Sequence, residues 1–294
     1  MAATRSTENG ARRLGRKDRL IQLLAVLLAC SILTHVWLAN LRVPTSPAVG
    51  QQINPPTRWK QTVQKHFRVS TYNIHRGKGT DGVRDLHRTA EVVRASDIVA
   101  LNEVAGPSLV GSDQAKQLGK MLDAGWLFAP NQRRWYTDHF GNGLLSRFEV
   151  KRWYTEQLFY DSKKSRSREN LLVAELVLNG RPVTVLATHL DRGPIRKEQL
   201  RYVLERFKQY DFGVLLGDLN TPPDDPQLVE LFADPNNVNA IKAALGDCDS
   251  PHRIDWIITR GFDVLAGSAG PPGVSDHPYF WVDIAFKESP VVSK

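Results

Sequence analysis

The sequence predicts an α/β fold in which mixed β-structure is covered by helices, carried behind one N-terminal apolar helix. Beyond residue 66, strand-like and helix-like runs alternate through the first part of the chain. Further on, Asn179-Gly180 joins two β-rich runs, Leu171–Leu178 and Pro182–His189, and that dipeptide is the strongest short hairpin signal. Near the start, LIQLLAVLLACSILTHVWLANL runs from Leu20 to Leu41 without a charge. It is long enough to cross a bilayer, which takes about 20 residues.

Each element follows from its own pattern. Gln22, Thr34 and His35 weaken the apolar run only slightly. Arg12, Arg13, Arg16, Lys17 and Arg19 precede it, and positive charge then thins to Arg42 and Arg58. The positive-inside rule puts residues 1–19 in the cytoplasm, residues 20–41 in the membrane and the rest outside. Two other readings compete with this anchor, a cleaved signal peptide and a buried helix of a soluble domain. A signal peptide has a shorter core and small residues at its cut site, whereas this core is long and ends in bulky Trp37 and Leu38. Residues 42–65 hold Pro44, Pro47, Pro55 and Pro56 among polar residues and read as an extended linker.

The main domain then runs over 66–288, ahead of a short tail at 289–294. Phe67–Asn73 alternates as a strand, Val83–Ala95 has helical spacing, and Ile98–Val104 is a short buried strand. Gln114–Leu122 reads as a helix, Gly143–Ser146 opens a strand region, and the hairpin follows. Ile195–Tyr210 is a charged amphipathic helix, and Phe212–Gly217, Ile254–Thr259 and Tyr279–Phe286 are strands.

Composition narrows the function. The formal charge is +8, from 39 basic and 31 acidic residues. Ten basic and two acidic residues precede residue 66, so the rest of the chain is formally neutral, with 29 of each sign. The high pI therefore belongs to the tail and gives no support to a large nucleic-acid surface. The two cysteines, Cys30 in the apolar run and Cys248 in a polar loop, make a disulfide implausible and a cysteine metal site impossible.

Polar residues end the apolar runs: Asn73 in STYNIHRG, Glu103 in IVALNEV, His189 in VLATHLD, Asp218 and Asn220 in VLLGDLN, Asp255 in RIDWII, and Asp276 with His277 in VSDHP. One such tip is more often a turn than a ligand. Several converging on one sheet edge make a site for a hard cation and a phosphate. Glu103 is the first metal candidate, Asn73 would add an uncharged oxygen, and Asp276 a second carboxylate. Set against this, Asn73 also reads as a turn former before Arg76-Gly77, and Glu103 as a charge at a helix N-terminus. Asp218 and Asn220 are two apart, so in extended chain they share a face and suit holding a water and donating to phosphate. The same GDLNTPP also reads as an Asx turn ahead of Pro222-Pro223. An aspartate that orients His277 would fix its tautomer and raise its basicity, and His189 could donate to developing negative charge. The remaining histidines, His87 and His252 among them, read as structural.

The set N-x-H-x-G, L-x-E-V, THLD, GDLN, RIDW and SDH resembles the endonuclease/exonuclease/phosphatase superfamily over Arg68–Phe286. That resemblance implies a four-layer α/β sandwich: two mixed sheets face to face with helices outside. It implies metal-dependent hydrolysis of a phosphate ester by in-line attack of water, with Mg²⁺, or Mn²⁺ in its place. Carried over by motif, it puts Asn73, Glu103 and Asp276 at the metal. His189, Asp218, Asn220, Asp255 and His277 become the catalytic set, with Arg76, Asn142 and Arg192 toward substrate. Three features depart from the pattern. Asn102 stands where relatives usually carry Gln. THLD matches the phosphatase, sphingomyelinase and deadenylase branches, not abasic endonucleases. The stretch Thr221–His252 is short for a substrate-recognition loop.

The leading expectation is a membrane-anchored phosphoesterase whose active site lies outside the cytoplasm, at the cell's inner membrane, acting on a lipid head group, a small phosphate or nucleic acid. No obligate protein partner is implied. A nuclease is the alternative, with Lys163, Lys164, Arg166 and Arg168 as a backbone contact. A catalytically inactive binding module comes third.

Overall fold

A computed structural model of the chain describes residues 15–41, 63–106, 113–132, 140–165, 167–246 and 253–287. The start of the basic tail, nearly all of the proline-rich linker, Arg166, Cys248, His252 and the C-terminal tail lie outside the described residues. Helix α1 (Arg16–Leu41) forms one compact unit. Its Arg16–Trp37 stretch has a mean hydropathy of 2.1 and is long and apolar enough to cross a membrane. Cys30 on it is a free, exposed thiol.

The second unit is built on two six-stranded sheets. The first contains β1 (Phe67–Asn73), β2 (Ile98–Ala105), β3 (Gly125–Gln132), β4 (Phe140–Ser146), β11 (Phe262–Ala269) and β12 (Phe280–Phe286). Its order is β11-β12-β1-β2-β4-β3. The second contains β5 (Val150–Gln157), β6 (Asn170–Leu178), β7 (Arg181–His189), β8 (Gly213–Asp218), β9 (Asn237–Asn239) and β10 (Asp255–Arg260). Its order is β5-β6-β7-β8-β10-β9. Each sheet joins one parallel pair, β1–β2 or β7–β8, to antiparallel neighbours, so both are mixed.

Strand periodicity explains the layers. Successive side chains alternate between faces, and both faces are apolar here. Ile98, Ala100, Val214 and Leu216 point into the space between the sheets, with Val69, Leu144, Leu172, Val185, Ile257 and Val282. Val99 and Leu101 point the other way, under α2 (Leu86–Val93) and α3 (Gln114–Leu122), against Ala90, Val93 and Leu118. Leu215, Trp256 and Ile258 face α4 (Arg196–Phe207) and α5 (Pro226–Ala233) and pack on Leu200, Val203 and Phe207. A short α6 (Ala240–Leu245) adds Ala240 and Ile241 to the central core. Helix, sheet, sheet, helix is the four-layer sandwich implied by the motifs.

The hairpin forms as its dipeptide demands. Asn179 and Gly180 have φ of +49° and +78°, a turn with both central residues left-handed. The expected helix from Val83 is shorter, because Asp85 accepts from the His87 backbone N–H and starts the helix at Leu86. Val83 stays outside it and is 55% exposed. Strands β3, β5, β9 and β11 and helices α5 and α6 were not anticipated from the sequence.

Candidate active site

Register brings the polar tips together. His189 on β7 pairs laterally with Asp218 on β8, and Asp218 pairs with Asp255 on β10. These three therefore sit side by side across the second sheet. Ala187, Leu216 and Ile257, each two residues away along its strand, face the core between the sheets. By strand alternation the three tips point into that same space. In the first sheet Asn73 on β1 pairs with Asn102 on β2. Val69 and Ala100 share their faces and also lie in the central core. At this end of the sandwich the inner layer changes from aliphatic to polar.

Glu103 joins them through a break in the ladder. Alternation from Leu101 would turn it outward. The β2–β4 register instead shifts between Leu101 and Val104, and Glu103 takes φ of +55°. A bulge of this kind re-aims a side chain, and a left-handed non-glycine residue costs of order 1–3 kcal/mol. The result is that Glu103 Oε1 lies 3.3 Å from Asn73 Nδ2. Gly217, at φ of +145°, is needed beside Asp218: a Cβ there would lie 1.8 Å from the Thr188 carbonyl oxygen.

Asp218 Oδ2 is the centre of the arrangement. Asn73 Nδ2 donates to it at 3.2 Å, His189 Nε2 lies at 3.5 Å and His277 Nε2 at 3.7 Å. The other carboxylate oxygen accepts from the Asn220 backbone N–H at 2.9 Å. This Asx turn puts Asn220 at φ of +46°, so the shared-face argument from extended chain does not hold. Asn220 is still buried beside the site, with Nδ2 donating to the Leu190 carbonyl at 2.7 Å. His277 Nδ1 meets Asp255 Oδ2 at 2.9 Å, and both side chains are almost fully buried.

Burial opposes charge on the His277 ring, but the bond to Asp255 and the charges of Asp255, Asp218 and Asp276 outweigh it and raise its pKa to about 9. Burial raises Asp255 to about 6 against the opposing pull of His277. His189 is shifted the other way, lowered by its burial, and its Nδ1 has no hydrogen-bond partner among the described residues. Near neutral pH one imidazole is therefore held charged and the other neutral.

The donor set suits a hard cation. Glu103 and Asp218 converge on the Asn73 amide nitrogen, and Asp255 Oδ1 is buried without a hydrogen-bond partner among the described residues. Asp218, Asp255 and His277 offer ligand atoms all within 4.8 Å of one another. His277 and Asp255 are already bonded to each other, so Glu103 is the better group to hold an ion.

Three expected residues are placed differently. Asn142 is fully buried, with its amide donating to Asn170 and accepting from Asn102. It lies beneath the site and has no free group for substrate. Asp276 is 52% exposed, bonded to Ser275 and 3.4 Å from His75 Nδ1, at the rim and not in the central cluster. Asn73 turns its oxygen to the His75 backbone N–H and its nitrogen to the carboxylates. Arg192 does reach the site, 3.6 Å from Glu103 Oε1 and 54% exposed. Arg76 is half-buried, left-handed at φ of +57°, with its guanidinium 4.9 Å over Phe140.

Other residues were missed. Arg253 is buried against Trp256 and donates to the Asp255 carbonyl. Arg196 donates to the Asn220 carbonyl and braces that turn. Glu169 is buried, held well above the usual carboxylate range by desolvation, and bonded to Asn131 and Ser167. The one sequence signal for each was a polar residue inside or beside an apolar run.

The endonuclease/exonuclease/phosphatase family model matches residues 70–277. The chain belongs to this family. It is a metal-dependent phosphoester hydrolase, as family membership entails. An endonuclease/exonuclease/phosphatase from Beutenbergia cavernae is 28% identical, with a TM-score of 0.62 over 79% of this chain and 74% of that one. The human Nocturnin catalytic domain, solved with a sulfate anion, is 20% identical with a TM-score of 0.58, over 84% and 99%. A mannosyl-6-phosphatase from Bacteroides thetaiotaomicron is 17% identical with a TM-score of 0.57, over 75% and 100%. The last two likenesses show the fold. No curated protein matches the chain in sequence.

Proposed function

We propose that this protein is a Mg²⁺-dependent phosphoesterase that cleaves a phosphate mono- or diester by in-line attack of water, held at a membrane by α1 with its active site outside the cytoplasm. The observation that carries the chemistry is Asp218 Oδ2, facing Asn73, His189 and His277 at 3.2, 3.5 and 3.7 Å. Asp218 orients the attacking water and takes its proton, since its other oxygen is fixed by Asn220. His277, kept charged by Asp255, donates to the oxygen on which negative charge develops. His189 supplies a neutral donor on the same side. Arg192, exposed at the rim, is free to swing onto a phosphate oxygen. Glu103, beside the Asn73 amide, would hold the cation and leave Asp218 Oδ2 to the water; when bound, the cation would polarise the phosphoryl oxygen and offset its charge.

The neutral main domain favours a lipid head group or small phosphate over long nucleic acid. The basic run is a weak nucleic-acid contact: Lys163 and Lys164 are exposed, and Arg168 is stacked on Tyr160. The test is a substrate panel on the detergent-solubilised chain with Mg²⁺, with and without EDTA. It holds bis(p-nitrophenyl) phosphate, inositol phosphates, sphingomyelin, phosphatidyl lipids, plasmid DNA and RNA. EDTA-sensitive release from a lipid or small phosphate supports the reading, and cleavage of nucleic acid alone replaces it with the nuclease. A reporter enzyme fused at the C-terminus, active only outside the cytoplasm, tests the orientation.

A further inference from the structure

Asn102 is polar, fully buried and one residue before Glu103, yet it has no part in the chemistry above. We propose that Asn102 is a positioning residue whose single amide holds site residues from both sheets in mutual register. The proposal rests on the phosphoesterase reading of the same site.

Both side-chain polar atoms of Asn102 and its backbone carbonyl are engaged. Its Oδ1 accepts from the Asp218 backbone N–H at 2.9 Å. Its Nδ2 donates to the Thr188 carbonyl at 3.0 Å and to Asn142 Oδ1 at 2.8 Å. Its backbone carbonyl accepts from the Ile74 N–H at 3.1 Å. Apart from the one to Asn142, each bond is at, or one residue from, a group of the site. Asp218 is held at its own backbone. His189 follows Thr188, Asn73 precedes Ile74, and Glu103 follows Asn102 itself.

The brace continues outward. Asn142 Nδ2 donates to Asn170 Oδ1 at 3.2 Å, and Asn170 Nδ2 donates to the Ala129 and Pro130 carbonyls on β3. Thr188 Oγ1 closes it on the Asn170 carbonyl at 2.8 Å. Core packing between two sheets of Leu, Val and Ala sets their separation but is non-directional and tolerates sliding. Directional bonds from β2 to β7 and β8 fix how Glu103 and Asn73 on one sheet meet Asp218 and His189 on the other. Reach is what matters in this role, and a serine hydroxyl, one atom shorter than the amide, cannot span to Asp218 and Thr188 on the other sheet.

The test compares Asn102→Ser, Asn102→Ala and a control, Ile284→Ala, in the detergent-solubilised full chain. Ile284 pairs with Phe67, at the opposite end of β1 from Asn73. Hydrolysis of bis(p-nitrophenyl) phosphate is measured with melting temperature and Mn²⁺ affinity by calorimetry. Both Asn102 variants should lose about 10- to 100-fold in kcat, the scale of a misplacement of about 1 Å, with KM within about twofold. Ile284→Ala should lower the melting temperature by as much and keep kcat within about twofold. If Asn102→Ala does not fold, Asn102→Ser decides. The proposal is overturned if Asn102→Ser keeps kcat within twofold, or if kcat follows melting temperature in the control as well. If the wild type cleaves no phosphate ester, the functional reading has failed and Mn²⁺ decides the brace. At least about tenfold weaker binding in Asn102→Ser supports it, and equal binding overturns it.

Discussion

Replacing Asp255 by Asn removes one charge and keeps the shape, so it isolates what that carboxylate does to His277. The pair is 2.9 Å apart, with 11% and 2% of the side chains exposed, so solvent screens it little. His277 stands at about 9 against an ordinary 6.5, a difference of about 2.5, worth roughly 3 kcal/mol at about 1.4 kcal/mol per unit. Burial pulls the ring the other way, and Asp218 and Asp276 supply part of the rise. Removing Asp255, which supplies the two largest raising effects, leaves burial opposed only by Asp218 and Asp276 and should bring the ring down by about two units or more, to neutral or below. Side-chain NMR of metal-free, detergent-solubilised protein reads this directly as the chemical-shift midpoint of His277. In the same variant, turnover should fall by about 10²- to 10⁴-fold, because a neutral imidazole no longer supplies a positive donor at neutral pH. A midpoint that stays near 9 in Asp255→Asn would refute the electrostatic account of the pair, whatever happens to the rate.

Further outcomes follow from the same geometry. Glu103→Ala should weaken Mg²⁺ activation more than any other single change and lower turnover strongly, read from rate against Mg²⁺ concentration. Asp218→Ala should cost about 10²-fold or more in kcat, since it removes the group placed to take the proton, and near-normal turnover would sink that assignment. His87→Ala, on the N-terminal turn of α2, should leave turnover within about twofold. In EDTA, stability measured by urea titration should fall as pH rises from about 6.5 to 9. The folded pKa of His277 exceeds its unfolded value, so its contribution is complete below 6.5 and is lost as the ring deprotonates; a rise across this window would contradict the assignment. Gly217→Ala should melt several degrees lower, because its new Cβ meets the Thr188 carbonyl.

Strand tips were legible in the sequence because an apolar run ending in one polar residue survives any packing detail. Phe67–Asn73 and Gln114–Leu122 fall where their patterns put them. The Asn179-Gly180 turn was legible because no other dipeptide takes two positive φ values so easily. Other elements were hidden for physical reasons. β5 alternates only weakly, as an edge strand with Lys151 and Arg152 facing water, and such charges guard an edge against pairing. β3 contains Pro130, tolerated because β3 is also an edge. α6 has six residues, too few to show a period. Glu103 belongs with the site only through a bulge and a left-handed backbone, which no alternation rule predicts. The buried amide network of Asn142 was hidden for the opposite reason: a polar residue on an apolar strand signals either a surface site or such a network, and composition does not separate them.

The two histidines argue for a division of labour that follows from placement alone. Both lie within 4 Å of the same Asp218 oxygen, so that carboxylate favours charge on each. What separates them is the second partner: His277 has Asp255 at its other nitrogen, and His189 has none among the described residues. A single carboxylate on β10, in register with Asp218, thus decides which imidazole is charged. Moving that carboxylate should move the role. In an Asp255→Asn background His277 loses its charge, and Asp218 is left without a cationic neighbour on that side. Mg²⁺ should then bind more tightly while turnover falls, because the cation meets less positive competition but the developing negative charge meets one fewer donor. Calorimetry and kinetics on the one variant test both halves. Weaker Mg²⁺ binding together with slower turnover would mean instead that Asp255 is itself a ligand to the ion.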